Sequence, residues 1–312
     1  MIKILDCTIR DGGYINNWNF SDSQVIELYT SLVKSNIDYM EIGFRDNLER
    51  YNNKLVSKWR ITQDIDINNT IKNIYTDSTK ISVMVNYGSS DLNDLDDKEN
   101  SLISLVRVAL KKKDLKNAIE YAGQIKKKGY IVSANLMATV NYSESELIEA
   151  CKLIIDNNID YVYIADSYGS MSGQKLSYLI NFIRNQFNII EPSYKYKIGF
   201  HGHNNTQQAF NNYKVCIDNK IDIIDSTMNG IGRGGGNLAT EILIGDLYNN
   251  DKRFNIDSVY YIVTYINNNL RDEIFKSHNL YFFISGFLNV HPNYASKIKE
   301  YNINDIDKVW KL

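Results

Sequence analysis

Eight short runs rich in β-branched and other apolar residues recur along the first 250 positions, separated by stretches with helical spacing. They fall at 2–6, 38–43, 81–86, 102–108, 130–136, 160–165, 196–201 and 221–226. Runs this short and this continuously apolar suit parallel strands covered on both faces. Ser21-Asp-Ser-Gln24 and Ser143-Glu-Ser-Glu146 have the spacing of capping boxes. The first precedes a stripe of Val25, Leu28, Leu32 and Val33, and the second precedes Leu147, Cys151 and Ile154. Leu115, Ala118, Ile119, Ala122 and Ile125 form a third stripe. Eight strands, each followed by a helix or a gap able to hold one, predict an α/β chain closed into a (β/α)8 barrel over residues 1–251. An open doubly wound sheet is the structural rival. Its glycine-rich stretch, however, should follow the first strand, and here it follows the eighth.

From residue 252 to 312 the rhythm is lost. A helix at 259–270, an aromatic run at 281–288 and a piece around His291-Pro-Asn predict a short C-terminal helical extension. The aromatic run fits a homodimer interface or a seal over the barrel bottom. The polar, acidic stretch 89–100 predicts a solvated loop or helix face, with a second metal site as the alternative. A formal charge of −2 leaves no basic footprint for nucleic acid. Three widely separated cysteines argue for a reducing compartment and against a disulfide framework. The N-terminal run meets Asp6 too soon for a signal peptide, and no apolar run is long enough to span a membrane. A cytoplasmic protein without membrane partners is expected.

Barrels of this class carry chemistry at the C-terminal ends of their strands. Those ends here hold Asp6, Arg10 and Asp11, Glu41, Arg107, Asn135, Asp166, the pair His201 and His203, and the loop 229–237. Residues two apart on a strand face the same side, so His201 and His203 can offer two imidazoles to one ion. Taken alone, an H-x-H is a weak signal, and two hydrogen-bonded polar histidines are the commoner outcome. Asp11 at the same mouth adds a carboxylate, and two histidines with one carboxylate suit a divalent ion that keeps positions open for substrate. Oxygen-rich surroundings favour Mn²⁺ or Mg²⁺, with Zn²⁺ also compatible. The loop 229–241, NGIGRGGGNLATE, has five glycines between Gly230 and Gly236, which lets backbone approach an anion or the mouth closely. A flexible turn is the plainer reading.

RDGG after the first strand, EIGF in the second, ADSYG after the sixth, HGHNN after the seventh and GNLATE after the eighth together resemble one superfamily. It is that of the metal-dependent pyruvate aldolases and acyl-transferring lyases, the DRE-TIM metallolyases built on the TIM barrel, which include 4-hydroxy-2-oxovalerate aldolase, hydroxymethylglutaryl-CoA lyase and isopropylmalate synthase. The likeness covers about residues 1–250, and VRVA at 106–109 with YIADS at 163–167 is most similar to the aldolase branch. The resemblance implies that Asp11, His201, His203 and Asn237 hold the metal and that Arg10 neutralises the enolate oxygen. It implies that Glu41 and Asp166 order the metal ligands through hydrogen bonds. Arg107 and Asn135 are further candidates at the mouth. The implied reaction cleaves or forms a 4-hydroxy-2-oxo acid from pyruvate and an aldehyde.

Two departures stand out. Tyr14 occupies the position of the aldolases' presumed histidine base, so Tyr14 or His291 is the candidate proton carrier, with a water, Tyr294 or His278 as alternatives. No cysteine lies in 229–241, where the lyase carries one, which argues against acyl-CoA cleavage. The tail is also short for the domain with which bacterial aldolases of this type grip a dehydrogenase. Arg45 and Arg233 are either surface arginines or readers of a phosphate or carboxylate at the far end of a longer substrate. A Claisen-type acyl-CoA lyase or synthase and a non-catalytic metabolite-binding barrel remain the rivals.

Overall fold

The computed structural model describes residues 2–47, 56–249, 251–270, 282, 285–286 and 288–294. Eight parallel strands close on themselves in sequence order. They are β1 (Lys3–Asp6), β2 (Tyr39–Phe44), β3 (Lys80–Asn86), β4 (Ile103–Leu110), β5 (Ile131–Leu136), β6 (Tyr161–Asp166), β7 (Lys197–Gly202) and β8 (Ile223–Ser226). Closure is made by β8 pairing with β1, Ile224 opposite Ile4 and Asp225 opposite Leu5. The open-sheet rival is thereby excluded, because that sheet would leave two edges unpaired.

Around the barrel lie α1 (Asp22–Lys34), α2 (Asp64–Ile71), α3 (Leu115–Lys127), α4 (Glu144–Asp156), α5 (Gly173–Ile190), α6 (Ala209–Asp218), α7 (Thr240–Tyr248) and α8 (Ile256–Asn269). Both expected capping boxes form, Ser21 with Gln24 and Ser143 with Glu146, and the apolar stripes behind them are buried. The α3 stripe likewise faces the barrel. The stretch 89–100 holds only two short 3-10 turns, Leu92–Asp94 and Lys98–Asn100. Its aspartates satisfy local backbone N–H groups, as Asp94 does for Asp91, which competes with helix formation. No metal-binding cluster falls there among the described residues.

Inside the barrel a layer of Leu5, Tyr39, Leu105, Tyr161, Tyr163 and Ile223 fills the lower half. The floor of the site rests on this plug. α8 packs against α1 and α7 through buried Val259, Ile262 and Ile266. Beyond it, described residues of the tail meet the loops after β6, β7 and β8. Asn205 Nδ2 donates to the Phe282 carbonyl at 3.1 Å, and Gly286 lies against Asn205 and Tyr168. That placement corrects the expectation of a seal over the barrel bottom, because these loops form the opposite, C-terminal mouth. His278 lies outside the described residues.

Candidate metal and substrate site

The segment after β1 turns tightly: Asp11 N–H donates to the Cys7 carbonyl at 2.8 Å and Gly13 N–H to Ile9 at 3.2 Å. Trp18 folds back, its indole N–H on the Arg10 carbonyl at 2.8 Å. A side chain at Gly13 would run into that indole ring. The turn thus aims Arg10 and Asp11 into the mouth. After β8, Gly236 takes a φ of +84°, a left-handed conformation suited to glycine. At Gly232 a Cβ would collide with Asn237 Nδ2, so glycine there lets Asn237 reach Asp11 Oδ2, at 2.6 Å.

Asp11, His201 and His203 each place one ligand atom within 4.8 Å of the others, and all three are buried. His201 Nδ1 is 2.9 Å from Asp225 Oδ2, and His203 Nδ1 is 3.3 Å from the Gly236 carbonyl. With both Nδ1 atoms donating, both Nε2 atoms keep a lone pair, and His203 Nδ1 itself lies 3.8 Å from Asp11 Oδ2. Asn237 adds a buried Oδ1 that has no hydrogen-bond partner. Burial pushes the Asp11 carboxyl up, but Arg10, His203 and His201 outweigh it and hold it well below the usual carboxylate range. Burial drives His203 down to about 3, so its imidazole is neutral near pH 7. Two imidazoles, one carboxylate and an orphaned amide oxygen fit a divalent cation. A second grouping, Cys7, His201 and Asp225, fits less well. Burial raises the Cys7 thiol well above its ordinary range, its Sγ contacts the Ser226 carbonyl, and Asp225 is already ion-paired.

Behind the ligands runs a buried chain of ion pairs. Arg10 Nη1 meets Asp11 at 2.8 Å, Arg10 Nε meets Glu41 Oε2 at 2.6 Å, and Arg107 Nη1 meets the same oxygen at 3.0 Å. Arg107 Nη2 pairs with Asp225, which in turn holds His201. Three carboxylates against two guanidiniums leave one negative charge in excess, which a cation among the ligands would offset. Arg10 Nη2 is buried without a partner.

The cleft above spans about 470 Å³ of empty space with the open solvent at its mouth included. Its wall contains Arg10, Asp11, His201, His203, Asn135, Tyr14 and Arg233, together with Asn86, Ser167 and apolar Phe44, Met84 and Met137. Tyr14 lies at the rim, 38 % exposed, its ring 4.6 Å from that of Trp18. His291 reaches the rim through Arg233, whose Nη1 is 3.2 Å from Nε2. Three sequence candidates stand elsewhere. Arg45 is buried against Asp64 and Gln63 and is absent from the cavity wall. Asp166 spends its carboxylate on the backbone N–H groups of Ser170 and Met171, shaping the loop after β6. Tyr294 is 61 % exposed. Asp225 was missed by sequence reasoning, although an acidic residue near the C-terminal end of a buried strand breaks the apolar pattern of that run.

The HMGL-like family model matches residues 1–260. A 4-hydroxy-2-oxovalerate aldolase from Bacillus cereus is 26% identical over 261 residues, spanning 82% of this chain and 72% of the relative. The crystal structure of the N-terminal domain of a candidate aldolase from Bacteroides vulgatus superposes with a TM-score of 0.84 at 29% identity, covering 98% of this chain and 99% of that one. The HMG-CoA lyase from Bacillus subtilis shares the fold, with a TM-score of 0.68 at 16% identity over 86% of this chain and 94% of that one.

Proposed function

The chain belongs to the HMGL-like family and is a carbon–carbon lyase, and from that premise we propose that it cleaves or forms a 4-hydroxy-2-oxo acid, with pyruvate and an aldehyde as the other side of the reaction. A divalent ion held by Asp11, His201, His203 and Asn237 would supply Lewis-acid polarisation of the 2-oxo group, Mn²⁺ or Mg²⁺ before Zn²⁺. In the cleavage direction the C4 hydroxyl loses its proton, the C3–C4 bond breaks, and its electron pair moves onto C3 and the 2-oxo oxygen. Protonation at C3 then yields pyruvate.

The single observation that carries this reading is Arg10. Its Nε and Nη1 are fixed by Glu41 and Asp11, while Nη2 is a buried donor with nothing to bond. Burial lowers its basicity, but Glu41 and Asp11 more than compensate and raise it well above the ordinary value. It is therefore a permanent charge, positioned in advance for an oxygen that becomes negative during reaction. Glu41 and Arg107 orient Arg10 and Asp225 orients His201. Tyr14, in the cavity wall, relays the hydroxyl proton by passing its own phenol proton to solvent as it accepts, and His291 is the alternative carrier. Met84, Met137 and Phe44 exclude water from the floor.

The test is pyruvate release from a panel of 4-hydroxy-2-oxo acids of increasing length, with Mn²⁺-loaded protein and Asp11→Asn as control. Metal-dependent pyruvate that vanishes in the control supports the aldolase reading. Tight metal with no pyruvate would move the assignment to acyl-CoA chemistry, and the absence of both would leave a metabolite-binding barrel.

A further inference from the structure

Two arginines line the cavity. Arg10 is held by two carboxylates, and Arg233 has no carboxylate partner among the described residues. The Arg233 Nε is buried without a hydrogen-bond partner, and its guanidinium lies 5.5 Å over the Tyr14 ring. The two arginines mark different depths. Arg10 is 5 % exposed beside the metal cluster, whereas Arg233 sits against Tyr14 at the rim.

His291 adds a second observation. Its Nδ1 lies 3.2 Å from the Asn293 N–H, and its Nε2 lies 3.2 Å from Arg233 Nη1. A neutral imidazole has one lone pair and one N–H, so it cannot accept from both neighbours. When Nδ1 accepts from Asn293, Nε2–H is a donor facing a guanidinium that can only donate. Two donors then meet with no acceptor between them, an arrangement an anion would satisfy. Burial, with Arg233 and Lys111 adding to it, pushes His291 down to about 4, so the ring is neutral near pH 7. The placement is built, not incidental. Asn205 Oδ1 accepts from the Gly235 N–H at 3.0 Å while Asn205 Nδ2 donates to the Phe282 carbonyl at 3.1 Å, tying the glycine-rich loop to the tail. Ser170 bonds Asn289 two residues before His291.

We propose that Arg233, with His291 Nε2–H beside it, binds an anionic group on the aldehyde-derived end of the substrate, so that the substrate is a 4-hydroxy-2-oxo acid with a second carboxylate or a phosphate at its far end. This rests on the aldolase reading, which puts the 2-oxo acid head at the floor and the far end at the rim. The group read is an anion with at least two acceptor oxygens, matched to a forked donor and a ring N–H.

The experiment separates binding from turnover. 2-Oxo acids without the 4-hydroxyl cannot undergo the cleavage, so titration calorimetry on Mn²⁺-loaded protein reads recognition alone. The probes are 2-oxopentanoate, 2-oxoglutarate and 2-oxo-5-phosphopentanoate, against wild type, Arg233→Gln, Arg233→Lys and His291→Asn. Wild type is expected to favour an anionic probe over 2-oxopentanoate by about 10- to 100-fold, the range for a charged hydrogen-bonding group in a partly buried site. Arg233→Gln should bring that ratio close to one, Arg233→Lys should restore part of it, and His291→Asn should lower it by a smaller factor. Whichever anionic probe binds tighter identifies carboxylate or phosphate. Equal affinity for all three probes in wild type overturns the proposal. Equal loss on all three in Arg233→Gln also overturns it, since Arg233 would then hold the shared head. Pyruvate release from the corresponding hydroxy acids reports on the aldolase reading independently. An intact charge preference without pyruvate would sink that reading and leave the anion site standing.

Discussion

Asp225 on β8 holds His201 on β7 through an Oδ2 to Nδ1 contact of 2.9 Å, and the same carboxylate pairs with Arg107 from β4. Through Glu41 and Arg10 this chain of charges returns to Asp11, so its two ends are both members of the candidate metal cluster. The two ligands are thereby coupled through the barrel interior as well as through any ion they share. Burial raises the Asp225 carboxyl, but Arg107 and His201 outweigh it and keep it below its ordinary value. It is therefore a fixed anion that sets the imidazole's tautomer.

Replacing Asp225 with Asn keeps the shape and removes the charge. Mn²⁺ affinity should fall about 10- to 100-fold, as for other residues that orient a metal-binding histidine. Stability should also fall, by about 3–5 kcal/mol, because Arg107 loses one of its two counter-ions in a fully buried site. Metal titration beside denaturant unfolding separates the two effects, and an unchanged metal Kd would contradict the orienting role.

Arg10→Lys keeps a positive charge and three N–H donors. These radiate from a single nitrogen and cannot span Glu41, Asp11 and a third oxygen as the planar guanidinium fork does. The expected result is a loss in kcat of about 10²- to 10³-fold, the cost of removing one donor from a developing oxyanion. Metal affinity should change far less than kcat. A variant that loses metal and activity in parallel would assign Arg10 to holding Asp11 instead.

Tyr14→Phe removes the only hydroxyl that the turn after β1 brings into the cavity wall. Proton transfer by a positioned side chain contributes about 10²- to 10⁴-fold, so kcat should drop by at least the lower figure. Tyr14→His should recover activity and bring a new ionisation into the pH–rate profile near neutrality. If Tyr14→Phe turns over normally while His291→Asn does not, the proton carrier is His291.

The barrel and the pairing of His201 with His203 on one face were legible in the sequence because both depend on local pattern. Strand period, capping boxes and an H-x-H at a strand end need only neighbours a few positions apart. What escaped depends on closure. Asp225 reads as one residue of an apolar run until β8 lies beside β7 and its side chain faces Arg107 across the interior. Arg45 reads as either a surface arginine or a substrate reader until folding buries it and supplies Asp64 from the N-terminal turn of α2. The connection after β3 could have held a helix by length alone. Its aspartates and asparagines decided otherwise, since their side chains bond nearby backbone more readily than they support helical turns. His291 is 58 positions from Arg233, and no local signal links the two.

Gly232→Ala tests the loop after β8 without replacing a proposed ligand. Its Cβ would enter the space between Asn237 Nδ2 and Asp11 Oδ2, with Asp11 Oδ2 at 2.9 Å. Backbone and ligand must separate, so the 2.6 Å bond between Asn237 and Asp11 is lost. Mn²⁺ should bind about tenfold or more weakly, with a stability loss of roughly 1–3 kcal/mol typical of overpacking. Metal binding equal to wild type would show that Asn237 is dispensable to the cluster.

Asp6 gives the fold a pH dependence separate from the metal. It is fully buried, and burial pushes its carboxyl up to about 7, although Thr8 N–H at 3.0 Å and Thr8 Oγ1 at 2.8 Å donate to it. The unfolded value is about 3.9, so between about pH 4 and 7 the folded chain binds a proton that the unfolded chain does not. Stability from this group is therefore fully present below about pH 4 and is lost as pH rises through about 7. Asp6→Asn mimics the protonated form and should be free of this loss. The melting temperature of wild type relative to the variant is expected to fall from pH 5 to about pH 7 and to level off by pH 8. Parallel melting curves for the two proteins across that range would mean that the Thr8 and Thr240 donors hold Asp6 ionised in the folded state.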